Sequence, residues 1–131
     1  MRIVIDASAA VELAVHFEKN SRLALALETA AEVLAPDLFV CEVVNAVWKY
    51  HQFQNLSVDT SQRAIDFALG MVETLVPNVE LHHEAFLLAR TTRRPAYDMF
   101  YLALARREDA TLLTADSTLK KEAGRQGIKV L

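Results

Sequence analysis

Short β-branched runs alternate with longer helical stretches along this chain, and two of them run out at or just before an aspartate. That alternation limits the fold more than any other feature. Arg2–Ile5 is short, rich in β-branched residues and stops at Asp6, which predicts a buried strand; residues 111–114, ending just before Asp116, predict another. Weaker strand signals lie at 79–81 and 128–130. Between them fall seven helical stretches: 9 to about 17, 20 or 21 to about 34, 38 to about 54, 57 to about 75, 83–91, 96–107, and a last one ending near 125. Strands alternating with helices imply an α/β fold, a parallel sheet covered on both faces with right-handed crossovers. A length of 131 residues fits one domain spanning 1–131, and no repeat, linker or low-complexity tract divides it.

The rest of the composition narrows the function classes. A hydrophobic fraction of 53% with only 3 Gly and 3 Pro excludes disordered and collagen-like chains. Only three apolar residues lie between Arg2 and Asp6, too few for a signal-peptide core, and no run approaches the roughly 18 apolar residues that span a bilayer, so a cytoplasmic protein with no membrane partner is expected. The single cysteine, Cys41, lies in the apolar run 38–48 and reads as a small core residue. A formal charge of -3 argues against coating nucleic acid by electrostatics alone, although two bound divalent ions would reverse its sign.

Four acids stand out because of their surroundings. Asp6 and Asp116 follow strands, at the carboxyl edge where open α/β sheets bind ligands. Glu42 sits in a largely apolar helix and needs a partner, with Asn45 three residues on along the same face. Asp98 is the only charge between Ala96 and Ala105, in the first turn of its helix. Each has a plain structural role available, as a cap, a dipole partner or an exposed polar stripe. Together, four ionised carboxylates in one pocket repel strongly unless cations neutralise them, and an all-oxygen donor set suits Mg²⁺ or Mn²⁺ rather than zinc. His82 and His83, adjacent on a helix, cannot share a face to bind metal. The hydroxyls of Ser8 and Thr114 stand two residues from an acid, close enough to orient a carboxylate. Arg93 and Arg94, in the segment RTTRRP ahead of Asp98, are candidates to grip phosphate groups of a substrate.

Read together, VIDASA (4–9), CEVVNAVWK (41–49), YDMFYLALA (97–105) and LLTAD (112–116) resemble the PIN-domain family, over nearly the whole chain. In length and motif spacing the chain is most similar to the VapC-type toxins of toxin-antitoxin pairs. The resemblance implies a metal-dependent endoribonuclease in which Asp6, Glu42, Asp98 and Asp116 occupy the acidic positions and Ser8, Asn45 and Thr114 the accessory polar ones. It also implies a parallel five-stranded sheet, a homodimer, a cognate VapB-type antitoxin, and products with a 5'-phosphate and a 3'-hydroxyl. Two other classes compete. A receiver-like signalling domain would need a phosphoacceptor Asp on a central strand and a late Lys that Thr114-Ala115-Asp116 does not supply. A non-catalytic binding module would use the apolar helix 38–48, continued by Tyr50 and Phe53, as a docking face.

Overall fold

The run Arg2–Ile5 is β1, the centre of the sheet in the computed structural model, which describes residues 1–131. Ile3, Val4 and Ile5 are wholly buried, as a parallel strand covered on both faces requires. The chain continues through α1 (Ala7–Val15), a 3-10 turn at Phe17–Lys19, α2 (Ser21–Thr29), β2 (Glu32–Pro36), α3 (Leu38–Gln54), α4 (Val58–Gly70) and β3 (Thr74–Val76). A second 3-10 turn (Asn78–Glu80) leads to α5 (His82–Thr92), α6 (Ala96–Arg107), β4 (Thr111–Leu113) and α7 (Ser117–Arg125). All strand pairs are parallel, in the order β3-β2-β1-β4, with Ile3 opposite Val33 and Thr111. Helix α6 lies against β1, β2 and β4, while α1, α3 and α4 pack on one another.

This is the α/β architecture of one domain with seven helices that the sequence predicts, with four strands in place of five. The predicted strand at 128–130 contributes a single parallel bridge, Val130 beside Leu112, fixed by Leu112 N–H donating to Lys129 O at 2.8 Å. Residues 79–81 are not a strand: the 3-10 turn there lets Asn78 N–H donate to Asp37 Oδ1 at 2.9 Å, tying β3 to the start of α3. The predicted helices to 34 and 75 both run too far. Each ends early, at Thr29 and Gly70, and the residues beyond form β2 and β3. Val33, Leu34 and Ala35 are buried by pairing with β1, a non-local gain that outweighs the helix propensity of an Ala-Glu-Val-Leu stretch. Cys41 is exposed on α3, not a core residue, because the core-facing stripe of that helix is Phe39, Val43 and Val47. The rings of His82 and His83 do meet, at 4.3 Å between centroids, since both sit in the first turn of α5 where the side chains can turn toward each other.

The topology fixes where a ligand can lie. From β1 the chain builds outward through β2 and β3, then returns to lay β4 on the other side of β1. Connections therefore diverge between β1 and β4, and a crevice opens at their carboxyl ends, outside Ile5 and Leu113.

Candidate functional site

Asp6 is the first residue past β1, and its backbone N–H still donates to Leu113 O of β4 at 3.1 Å. Its side chain caps α1 by accepting from Ala9 N–H at 2.9 Å, so the cap role open to it is filled. The same carboxylate accepts from Ser8 Oγ at 2.7 Å and from Thr114 Oγ1 on the neighbouring loop. Ser8 in turn accepts from Ala115 N–H, and Thr114 Oγ1 accepts from Asp116 N–H, each at 3.0 Å. The two hydroxyls thus lace the β1 and β4 exits into one rigid floor. Three hydrogen bonds use most of the roughly four acceptor positions of Asp6, leaving about one lone pair on Oδ2.

Above that floor lies a cleft of about 240 Å³ that brings together Asp6, Glu42, Asp98 and Asp116, with Ser8 and Asn45 beside them. At roughly 30 Å³ per water it has room for several hydrated groups. Each acid arrives on a different element: Asp6 after β1, Glu42 from α3, Asp98 from the first turn of α6, and Asp116 at the start of α7. Each also keeps oxygen capacity that no protein group uses. Glu42 accepts from Tyr101 Oη at 2.6 Å through Oε1 only, and Asp116 caps α7 through Oδ1 only, taking Thr118 N–H at 2.9 Å and Leu119 N–H at 3.2 Å. Asp98 has one loose partner, Arg94 Nη2 at 3.7 Å from Oδ2.

The electrostatics follow from this crowding. Burial, and after it the charge of Asp98, pushes the Asp6 carboxyl above the usual carboxylate range, against the pull of its three hydrogen bonds. Burial raises Glu42 as well, helped by the charges of Asp98 and Asp6 and opposed by Tyr101. Asp98 is raised by burial and by Asp116, with Arg94 acting the other way. Asp116, the most open, is held low mainly by its hydrogen bond from Thr118. No three of these side chains close around a common point. Like charges gathered in one cleft repel, and Glu42, Asp98 and Asp116 are only partly buried. A set of hard oxygen donors with unused lone pairs, three of them raised by burial and mutual repulsion, fits a Mg²⁺ or Mn²⁺ ion.

Two polar lining residues are not singled out by the sequence. Lys49 is on the wall and Tyr101 beneath Glu42. Spacing could have found both: Glu42, Asn45 and Lys49 fall at i, i+3 and i+7 on α3, and Tyr101 is three residues from Asp98 on α6. Neither predicted arginine lines the cleft: Arg94 stands behind Asp98, its Nη2 3.7 Å from Oδ2, and Arg93 ends α5 in the left-handed conformation (φ 57°) with its side chain exposed.

The model of the PIN domain family matches residues 3–124. Ribonuclease VapC3 of Pyrobaculum aerophilum is 31% identical over 124 residues, covering 93% of this chain and 95% of that protein. Among solved structures, PAE2754 from Pyrobaculum aerophilum matches with a TM-score of 0.73 at 22% identity, covering 99% of this chain and 83% of the other. VapBC2 from Rickettsia felis, crystallised with a DNA fragment from their promoter, matches with a TM-score of 0.68 at 16% identity, covering 100% and 98%. Both structures speak to the fold.

Proposed function

The chain belongs to the PIN-domain family, and on that premise we propose that it is a divalent-metal-dependent endoribonuclease, the VapC-type toxin of a toxin-antitoxin pair. The observation that carries the nuclease reading is the meeting of four carboxylates, from four separate segments, in one cleft at the topological switch point. Asp6, Glu42, Asp98 and Asp116 are the residues that would hold Mg²⁺ or Mn²⁺. When bound, such an ion acidifies a water for attack on phosphorus and offsets charge on the phosphate.

The side chains have distinct tasks in this scheme. Ser8 and Thr114 hold Asp6 in a single orientation, so its remaining lone pair points into the cleft. Tyr101 fixes one oxygen of Glu42 and leaves the other free to accept a proton or a water. Asn45 offers an amide on the same wall, and Lys49 a cation for a non-bridging phosphate oxygen. The toxin half of the proposal rests on the relatives: one is named Ribonuclease VapC3, and another shares its fold within VapBC2. A VapB-type antitoxin is accordingly the proposed protein partner, and a second copy of this chain the other.

Replacing Asp98 by Asn tests the nuclease reading. The variant should keep the circular dichroism spectrum of the parent and lose Mg²⁺-dependent cleavage of a labelled RNA by at least about 100-fold, as loss of a major electrostatic contribution does. Full activity in a purified, folded Asp98→Asn protein would falsify the assignment.

A further inference from the structure

Arg94 lies in the turn between α5 and α6, four residues before Asp98, and is about three-quarters buried, its side chain 24% exposed. An arginine committed to a structural ion pair makes two short bonds, about 2.7–2.9 Å each, to one carboxylate. Arg94 does not. Its one charged contact, Nη2 to Asp98 Oδ2, is 3.7 Å long, and its enclosed Nε–H has no acceptor. A guanidinium with five donors, mostly withdrawn from water, is left under-used beside a group of anions. Its charge nevertheless reaches two of them, opposing burial and the charge of Asp116 at Asp98, and opposing burial at Asp116.

We propose that Arg94 is an internal counter-ion of the carboxylate cleft, which offsets the charge of Asp98 and Asp116 until a divalent cation takes over that task and its guanidinium then turns to a phosphate of the nucleic acid strand. This inference rests on the nuclease reading above and deepens it. It makes Arg94 a positioning residue for metal loading and a binding residue for the phosphate. Two opposite effects follow from one side chain: Arg94 weakens binding of a bare cation by like-charge repulsion, and strengthens binding of a phosphate once the cation is in place. A merely structural arginine would move neither in that pattern.

The experiment compares the full chain with Arg94→Gln and Arg94→Lys. Mn²⁺ alone is titrated by isothermal calorimetry, and then a nucleoside 5'-monophosphate is titrated into each protein at saturating Mn²⁺. Arg94→Gln should bind Mn²⁺ tighter by on the order of five-fold and the nucleotide weaker by a similar factor, the scale of one removed charge in a partly solvated site. Arg94→Lys keeps the charge and should hold the parent's Mn²⁺ affinity, which also guards against a misfolded Gln variant. Equal Mn²⁺ affinity in the parent and Arg94→Gln, or unchanged nucleotide affinity in Arg94→Gln, overturns the inference and leaves the nuclease reading standing. A parent protein that binds no Mn²⁺ at all overturns both.

Discussion

Thr114 does more for the cleft than its size suggests. Its hydroxyl donates to buried Asp6 and accepts from Asp116 N–H, and it contacts Ser8 Oγ at 3.2 Å, so one oxygen joins three groups. Valine has nearly the same shape and none of these bonds. Thr114→Val should therefore cost about 1–3 kcal/mol, because a buried carboxylate and an amide lose partners at once. Urea unfolding measures the first effect, and a midpoint equal to the parent's would contradict it. The same substitution removes a bond that favours the ionised Asp6, so Mn²⁺ affinity should fall as well. At this scale the sequence was unusually legible. Glu42 and Asp98 are conspicuous as charges in apolar runs, and Asp6 and Asp116 as acids closing strands, and these breaks in local patterning lead to residues that share one cleft. Lys49 broke nothing, being a lysine near the exposed end of a helix. Tyr101 looked like one more core aromatic, and only its hydroxyl, aimed at Glu42, sets it apart.

Helix α3 divides its surface three ways, and that division explains why the sequence shows it as apolar almost all round. Phe39, Val43 and Val47 face the core; Glu42, Asn45 and Lys49 face the cleft; Val44 and Trp48, exposed to 44% and 49%, face outward beside Cys41. Trp48 packs edge-on against Phe53, itself 72% exposed, with ring centroids 5.9 Å apart. Two aromatics and a valine on one outer face exceed what a lone helix gains by exposing them. The proposed homodimer would bury that patch. Trp48→Glu is accordingly expected to shift sedimentation from dimer to monomer while leaving the unfolding midpoint of the monomer within about 0.5 kcal/mol, as exposed substitutions do. A parent protein that sediments as a monomer at tens of micromolar rejects the dimer. Elements with strong local signals, such as α3 with its left-handed Asn55 end and α4 with its Ser57 cap, were readable at both or one of their ends. β2 and β3 were not, because a strand of three to five residues is defined by partners 30 or more positions away, and nothing local records them.

Taken whole, the molecule keeps three raised carboxyls, Asp6, Glu42 and Asp98, in a fold that pairs other charges at the surface, Arg2 with Glu32, Arg106 with Glu84 and Arg107 with Glu80. That arrangement ties its stability to pH with a definite sign. In the unfolded chain these groups release their protons near pH 4, whereas in the folded protein they hold them to higher pH. Between those values the folded state binds more protons, so its stability falls as pH rises, and above the folded values the full penalty of the ionised cluster applies. Asp116, shifted the other way, acts below the ordinary carboxylate range and does not mask the trend. In EDTA the unfolding midpoint should therefore decline as pH rises above the ordinary carboxylate range, more steeply than in Asp98→Asn, which lacks one of the groups and relieves the others of its charge. Excess Mg²⁺ should reverse the decline, because a ligand of the folded state at 100 times its dissociation constant adds about 2.7 kcal/mol. Thermal unfolding across pH 5–8, with and without Mg²⁺, reads both effects. A parent protein whose midpoint is flat in EDTA and indifferent to Mg²⁺ would mean that the four carboxylates do not act on one another, and a metal site built from them would lose its physical basis.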